Sequence, residues 1–175
     1  MSNSTERLFF ALWPKDNTRQ AINQVSQPIT QGIKGKIMPS ENWHITLAFL
    51  GHIDMPTKQC MQQAAATVQG YRFSLSLDQL GYWPKPRIFW IGANQTPDAL
   101  RDLVNNLSTD LQDCGYCPET RPFQVHLTLM RKATRIKTLP PITPVAWSVE
   151  DFCLVRSTTE PSGARYQVIA RWALN

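Results

Sequence analysis

Two stretches of this chain, NWHITLAFLG (42–51) and VHLTLM (125–130), set a histidine and a threonine two residues apart on an otherwise apolar segment. A strand projects successive side chains to opposite faces. His44 and Thr46 therefore share one face, with Ile45, Leu47 and Phe49 on the other; His126 and Thr128 share a face opposite Leu127 and Leu129. Each stretch closes the same succession of elements. A short apolar strand, RLFFALW (7–13), and a helical segment with Ile22, Val25 and Ile29 precede the first; RIFWIG (87–92) and a helix precede the second. Phe9 to His44 spans 35 positions and Phe89 to His126 spans 37. A strand–helix–strand unit used twice predicts two related units facing one another across a pseudo-twofold groove.

The remaining elements fit around this frame. Asp16 or Asn17 is placed to cap the first helix, and TKQCMQQAAATVQG (57–70) reads as a second helix capped by Thr57 and ended by Gly70. YRFSLSLDQLGYW (71–83) alternates as one half-buried strand. In TPDALRDLVNNLSTDLQDCG, Thr96 and Pro97 open the helix and Leu100, Leu103, Val104, Leu107 and Leu111 form its apolar face. SVEDFCLVRS and ARYQVIARWAL read as two more strands, and Gly51 closes the His44 strand with His52 in a loop beyond it. Thirteen prolines favour strand ends and loops over a helical bundle. The fold class expected is α+β, with residues 1–175 as a single domain.

Eighteen Lys and Arg against thirteen Asp and Glu leave a net charge of +5, a mild preference for an anionic partner with no basic tract of the kind that coats nucleic acid. The opening MSNSTERLFF lacks the basic, apolar and small-residue succession of an export signal. No apolar run approaches the roughly 18 residues of a membrane span. A cytoplasmic protein is therefore expected, with Cys60, Cys114, Cys117 and Cys153 as reduced thiols. CGYC (114–117) has C-x-x-C spacing, but no second pair follows at zinc-site spacing, so it reads as incidental thiols where Gly115 ends a helix.

Two of the three histidines thus lie in matched H-x-T-L strands. Imidazole titrates near pH 6.5, so both protonation states are accessible around neutrality. Displacement at phosphorus needs one group to take a proton from the attacking oxygen and another to protonate the departing one. Threonine hydroxyls suit the non-bridging oxygens, and Arg131 offers a fixed charge with a bidentate fork. Two histidines are only two metal ligands, and neither has Asp, Glu or Cys beside it at ligand spacing. No nucleophile elbow is present. Metal-free acid–base chemistry, with no cofactor, is favoured over a histidine-assisted Ser or Cys nucleophile.

RLFFAL, NWHITLAFLG, RIFWIG, RPFQVHLTLMR and RYQVIARWAL, in this order along nearly the whole chain, resemble the two-histidine (2H) phosphoesterase superfamily. More narrowly they resemble its bacterial RNA 2′,3′-cyclic phosphodiesterase (2′-5′ RNA ligase) family. The resemblance implies a bilobal α+β fold with antiparallel sheets, flanking helices and both motifs in a central cleft. It implies hydrolysis of a 2′,3′-cyclic phosphate end to a 2′-phosphate, with possible reversal as 2′-5′ ligation. Carried over by motif position, His44 would be the general acid, His126 the general base, and Thr46, Thr128 and Arg131 the phosphate ligands. The expected partners are RNA ends or nucleotides bearing the cyclic phosphate, with no membrane and no obligate protein partner. Val125 departs from the pattern, standing where relatives usually carry proline. Phe9, Tyr82, Trp83 and Tyr166 are candidates to stack a terminal base. The rival readings are a non-catalytic module that binds RNA ends and a zinc protein built on CGYC.

Overall fold

The apolar runs become strands where they meet partners. The structure, a computed structural model, describes residues 4–175; the first three residues, part of the stretch read for an export signal, lie outside the described residues. Strand β1 (Glu6–Leu12) pairs with β3 (Ile45–Ile53) on one side and β9 (Asp151–Glu160) on the other, and β10 (Gly163–Ala173) completes a sheet of order β10-β9-β1-β3. A second sheet has the order β2-β7-β6-β5, from β2 (Lys36–Ile37), β5 (Gln79–Trp83), β6 (Ile88–Gly92) and β7 (His126–Arg131). β4 (Phe73–Leu77) and β8 (Val145–Val149) form a two-stranded ribbon. Every pairing is antiparallel. With helices α1 (Asp16–Thr30), α2 (Met55–Thr67) and α3 (Asp98–Gln112), the described residues have the α+β composition expected.

The repeated unit is built alike in both halves. β1 and β3, separated in sequence by α1, are neighbours; so are β6 and β7, separated by α3. Thr46 lies opposite Ala11 and Thr128 opposite Trp90, and in each half the register then slips by one. Phe10 pairs with Ala48, passing over Leu47; Phe89 pairs with Met130, passing over Leu129. The leucine of each H-x-T-L is thus a bulge residue. A bulge reverses the facing of the residues beyond it, which is why Leu47 and Ala48 are both buried, as are Leu129 and Met130. This register makes Phe10, not Phe9, the counterpart of Phe89, so the alignment read from the sequence is displaced by one position.

Bulges also correct the reading of the first strand's far end. A second slip, over Leu50, follows Phe49, which lies opposite Phe9 and is 45% exposed rather than core. Gly51, at φ +74°, takes the turn this demands without ending the strand, and His52 is an exposed strand residue opposite Arg7. The stretch 71–83 is not one strand: it breaks at Asp78, whose N–H bonds the Gly92 carbonyl, and β4 and β5 belong to different sheets. Glu150 likewise separates β8 from β9 within SVEDFCLVRS.

Helix ends show how local chemistry outranks pattern. α2 is capped by Asp54, whose carboxylate accepts from the Thr57 N–H at 2.9 Å, so Thr57 is capped rather than capping. α1 begins at Asp16 with no side-chain cap, and its buried stripe is Thr18, Ile22, Ser26 and Thr30, with Val25 and Ile29 packed at the core's margin. The apolar face of α3 is fully buried as read, and Gly115, at φ +86°, ends that segment. One continuous core joins residues of both halves, from Leu8 and Ile45 to Leu127 and Leu129.

The cysteine expectation is overturned. Cys60 on α2 and Cys114 just beyond α3 form a disulfide, with Cα atoms 5.7 Å apart, while Cys117 stays an exposed thiol and Cys153 a buried one. Packing of α2 against α3 brings together two cysteines 54 positions apart, a proximity that C-x-x-C spacing does not contain. Among the described residues no helix is long and apolar enough to cross a membrane.

Candidate active site

The two motif strands meet at the centre of the molecule, and the cleft between them is lined by His44, Thr46, His126, Thr128 and Arg131 together. All five residues singled out in the sequence are therefore in one place. Met38, Asn42, Ile88 and Tyr166 complete the lining. The cavity is small, about 100 Å³. The β9–β10 hairpin is tied across to the β2 side, where Lys36 Nζ donates to the Ser162 carbonyl at 3.1 Å and Asn42 Nδ2 to the Ala164 carbonyl at 3.1 Å. These bonds hold Tyr166 over the first histidine.

Each imidazole is fixed by the carbonyl two residues before it. His44 Nδ1 lies 2.7 Å from the Asn42 oxygen and His126 Nδ1 lies 3.0 Å from the Gln124 oxygen. A carbonyl only accepts, so Nδ1 carries the hydrogen in both rings. Nε2 is left, in each, as the atom that takes or gives a proton. The repetition of this bond in both halves follows from the chain entering each motif strand in the same way.

Aromatic walls hold the rings further. Trp13 stacks on His44 with centroids 5.6 Å apart and planes 9° off parallel, Phe9 lies at 4.7 Å, and Tyr166 meets the ring edge-on at 5.2 Å. His126 has Trp83 at 4.6 Å and Trp90 at 6.5 Å. Trp90 fits because its strand neighbours are glycines. A Cβ on Gly81 would fall 1.9 Å from the Trp90 ring, and one on Gly92, opposite His126, would fall 2.1 Å from the Val125 carbonyl oxygen.

Of the stacking candidates, Tyr166 borders the cleft and Trp83 covers His126, whereas Phe9 is buried beneath His44 and Tyr82 donates its hydroxyl to the Ala133 carbonyl. Sequence pattern does not single out Trp13, Asn42, Met38 or Ile88. Trp13 is nonetheless legible in RLFFALW, since it shares parity with Phe9 and Ala11, the face that carries Thr46. The Asn42 carbonyl is not, because a backbone acceptor leaves no mark in residue type.

Enclosure sets the proton affinities. Burial pushes His44 down to about 4; the charges of His126 and Arg131 act in the same direction, and the Asn42 carbonyl opposes them. His126 is also held below its ordinary value, first by burial and then by Arg131, against the Gln124 carbonyl. Both imidazoles therefore favour the neutral form around neutrality. An anion between them would raise both. Two imidazoles with no carboxylate or thiol among the lining side chains are a poor metal donor set, and no group of three or more His, Cys, Asp or Glu that could hold a metal occurs among the described residues.

Two matched H-x-T strands closing one cleft in an antiparallel α+β fold is the architecture of the two-histidine phosphoesterases. The comparisons with known proteins agree. The family model described as LigT like Phosphoesterase matches the chain twice, over 12–90 and 91–166, so that each match holds one H-x-T strand. The RNA 2′,3′-cyclic phosphodiesterase of Escherichia coli K12 is 33% identical over 97% of each chain. The crystal structure of E. coli LigT complexed with 3′-AMP superposes with TM-score 0.88 at 31% identity, covering 98% of this chain and 99% of that one. A crystal structure from Thermus thermophilus gives 0.79 at 28% identity, over 96% and 97%. The chain belongs to the LigT-like phosphoesterase family.

Proposed function

We propose that this protein is a metal-independent RNA 2′,3′-cyclic phosphodiesterase, in which His126 takes a proton from water and His44 gives one to the departing 3′ oxygen. The observation that carries the reading is the pair of imidazoles, each with Nδ1 held by a backbone carbonyl and Nε2 left for one shared cleft. Thr46 and Thr128 donate to the non-bridging oxygens and Arg131 supplies fixed charge as the phosphorus centre gains negative charge. A bound phosphate raises both imidazole pKa values, which lets one ring hold a proton near neutrality. The E. coli relative carries this activity in its name, and E. coli LigT binds 3′-AMP, a nucleotide of the right class.

The same groups run the reaction backward when a 5′-hydroxyl replaces water, giving 2′-5′ ligation; water's concentration favours hydrolysis. The substrates are RNA ends or nucleotides with the cyclic phosphate, taken without an obligate protein partner. Residues 1–175 act as one domain of two related lobes, since the catalytic pair is split between them. We place the protein in the cytoplasm, where thiol reductants act on the Cys60–Cys114 bond, so the fold must function without it.

The test is to incubate the protein, with excess EDTA, with a short RNA ending in 2′,3′-cyclic phosphate and to identify the product by phosphorus NMR. A 2′-phosphate is expected, and a His126→Ala variant should give none. Tight binding of the RNA with no product from wild type would instead favour the non-catalytic end-binding module.

A further inference from the structure

The face of the first sheet that carries Thr46 runs on well past the cleft. Opposed residues of an antiparallel sheet share a face. In the row beyond Thr46 and Ala11 therefore stand Phe49, Phe9 and Val155, and in the row after it His52, Arg7, Ser157 and Tyr166. Most of this surface is closed: Phe9, Ala11, Cys153 and Val155 are buried beneath Trp13, Tyr166 and Val168. Phe49 is the exception. The two bulges of β3 flank it, and it is 45% exposed. The Arg7 guanidinium lies over its ring, 5.1 Å from the centroid, and Arg7 Nη1 donates to Ser157 Oγ at 3.4 Å.

Charge sets Arg7 apart from the other arginines of this sheet. Arg156 is paired with Glu6, Arg165 with Glu160 and Arg171 with Asp151. Arg7 has no carboxylate partner among the described residues. Neighbouring Glu6 is taken by Lys58 and Arg156. A half-exposed aromatic ring with an uncompensated guanidinium over one side offers what a single-stranded nucleotide requires, ring surface for its base and the cation for its phosphate. The position lies one buried residue from the cleft: Phe9, the strand partner of Phe49, lies 4.7 Å from the His44 ring, and Cβ atoms of an opposed pair are about 5 Å apart.

We propose that Phe49 and Arg7 form a second nucleotide-binding position, which takes the penultimate nucleotide of an RNA whose terminal cyclic phosphate lies between His44 and His126. The inference rests on the activity proposed above and narrows its substrate class from any cyclic nucleotide to oligonucleotide ends. A mononucleotide fills the cleft alone; a chain extended on the 5′ side also covers Phe49. Stacking of one base on an aromatic ring contributes roughly tenfold or more in affinity.

The experiment compares cytidine 2′,3′-cyclic phosphate with a dinucleotide and a trinucleotide ending in the same group, in wild type, Phe49→Ala and Phe49→Tyr. Wild-type kcat/KM should rise about tenfold from mononucleotide to dinucleotide. Phe49→Ala should erase that rise while leaving mononucleotide turnover within about twofold, and Phe49→Tyr should restore it. Equal kcat/KM for all three lengths, or an equal loss for all three in Phe49→Ala, overturns the second position but leaves the proposed activity standing. No turnover of any of them removes the activity. In that case fluorescence anisotropy of a 5′-labelled trinucleotide ending in 2′-phosphate still decides: about tenfold weaker binding by Phe49→Ala supports the position, and unchanged binding overturns it.

Discussion

The His44 half and the His126 half present the same motif through the same bulged pairing, yet they support it differently. Opposite its threonine the first half has Ala11 and the second has Trp90. Beside the small residue His44 is enclosed by Phe9 on the same strand, by Trp13 just past its end and by Tyr166 reaching in from β10. The large one needs its own cradle, and Gly81 and Gly92 provide it within the sheet. As a result His44 is the more deeply enclosed ring and is pushed down to about 4. A repeated backbone can therefore carry two histidines of one geometry and unlike proton affinity, which is what an acid–base pair requires. If His44 is the acid, as proposed, the charge of a phosphate bound beside it has to raise its proton affinity first. The lesson is that symmetry supplies the geometry and the flanking side chains break it.

Removing either ring should do the most damage. His44→Ala and His126→Ala are each expected to lower kcat by about 10²- to 10⁴-fold with the fold intact by circular dichroism. The double variant should lose little more than the worse single one, because the two act as a unit. Comparable losses on the two sides would support the pairing; a variant within tenfold of wild type would break it.

The glycines test the difference in support. Gly92→Ala should cost on the order of 3 kcal/mol in a denaturant titration and impair turnover, because the methyl meets a backbone carbonyl that has no room to withdraw. Gly51→Ala on the first motif strand meets only the edge of the Phe49 ring, 3.9 Å away and in ordinary contact, and carries only the strain of its φ, +74°, which is worth about 1 kcal/mol. Equal costs at the two sites would show that the second half is not the more tightly built. The disulfide joins α2 of the first half to the turn just beyond α3 of the second. Cys60→Ala should lower stability by roughly 2–4 kcal/mol, as read by urea unfolding without reductant. It should leave kcat unchanged, since no residue of α2 or α3 lines the cleft.

The chemistry is more legible than the packing. Residue type and parity set His44 with Thr46 and His126 with Thr128 on one face of each strand; Arg131, of the opposite parity, reaches that face only through the bulge at Leu129, and the structure gathers all five. What alternation cannot reveal is where it stops. The bulges at Leu47, Leu50 and Leu129 are properties of a strand and its partner together, so alternation assigns Phe49 to the core and Gly51 reads as a strand end that leaves His52 in a loop. Asp54 caps α2 because the chain turns there, three residues before the segment read as the helix, which begins at Thr57. The Cys60–Cys114 bond depends on how α2 and α3 pack, a tertiary fact with no local signature.

Acidity offers a smaller and finer probe. Both histidines are held below pH 6.5 in the free protein. The singly protonated pair is therefore most abundant below that pH, and the bell of kcat/KM should be centred there, with the bell of kcat displaced upward by bound phosphate. Folding stability carries the same sign. A histidine with depressed folded pKa contributes fully above 6.5 and loses its contribution as pH falls toward 4, so wild type should lose stability over that window by more than His44→Ala does.

The assignment of opposite roles is tested most directly by the kcat/KM–pH profiles of the two single variants. Loss of the general acid removes the dependence on a protonated group, and loss of the general base removes the dependence on a neutral one. His44→Ala should keep its rise from low pH and lose the fall at high pH; His126→Ala should keep the fall and lose the rise. Exchanged limbs would assign the roles the other way round, and a full bell in either variant would contradict the two-histidine account.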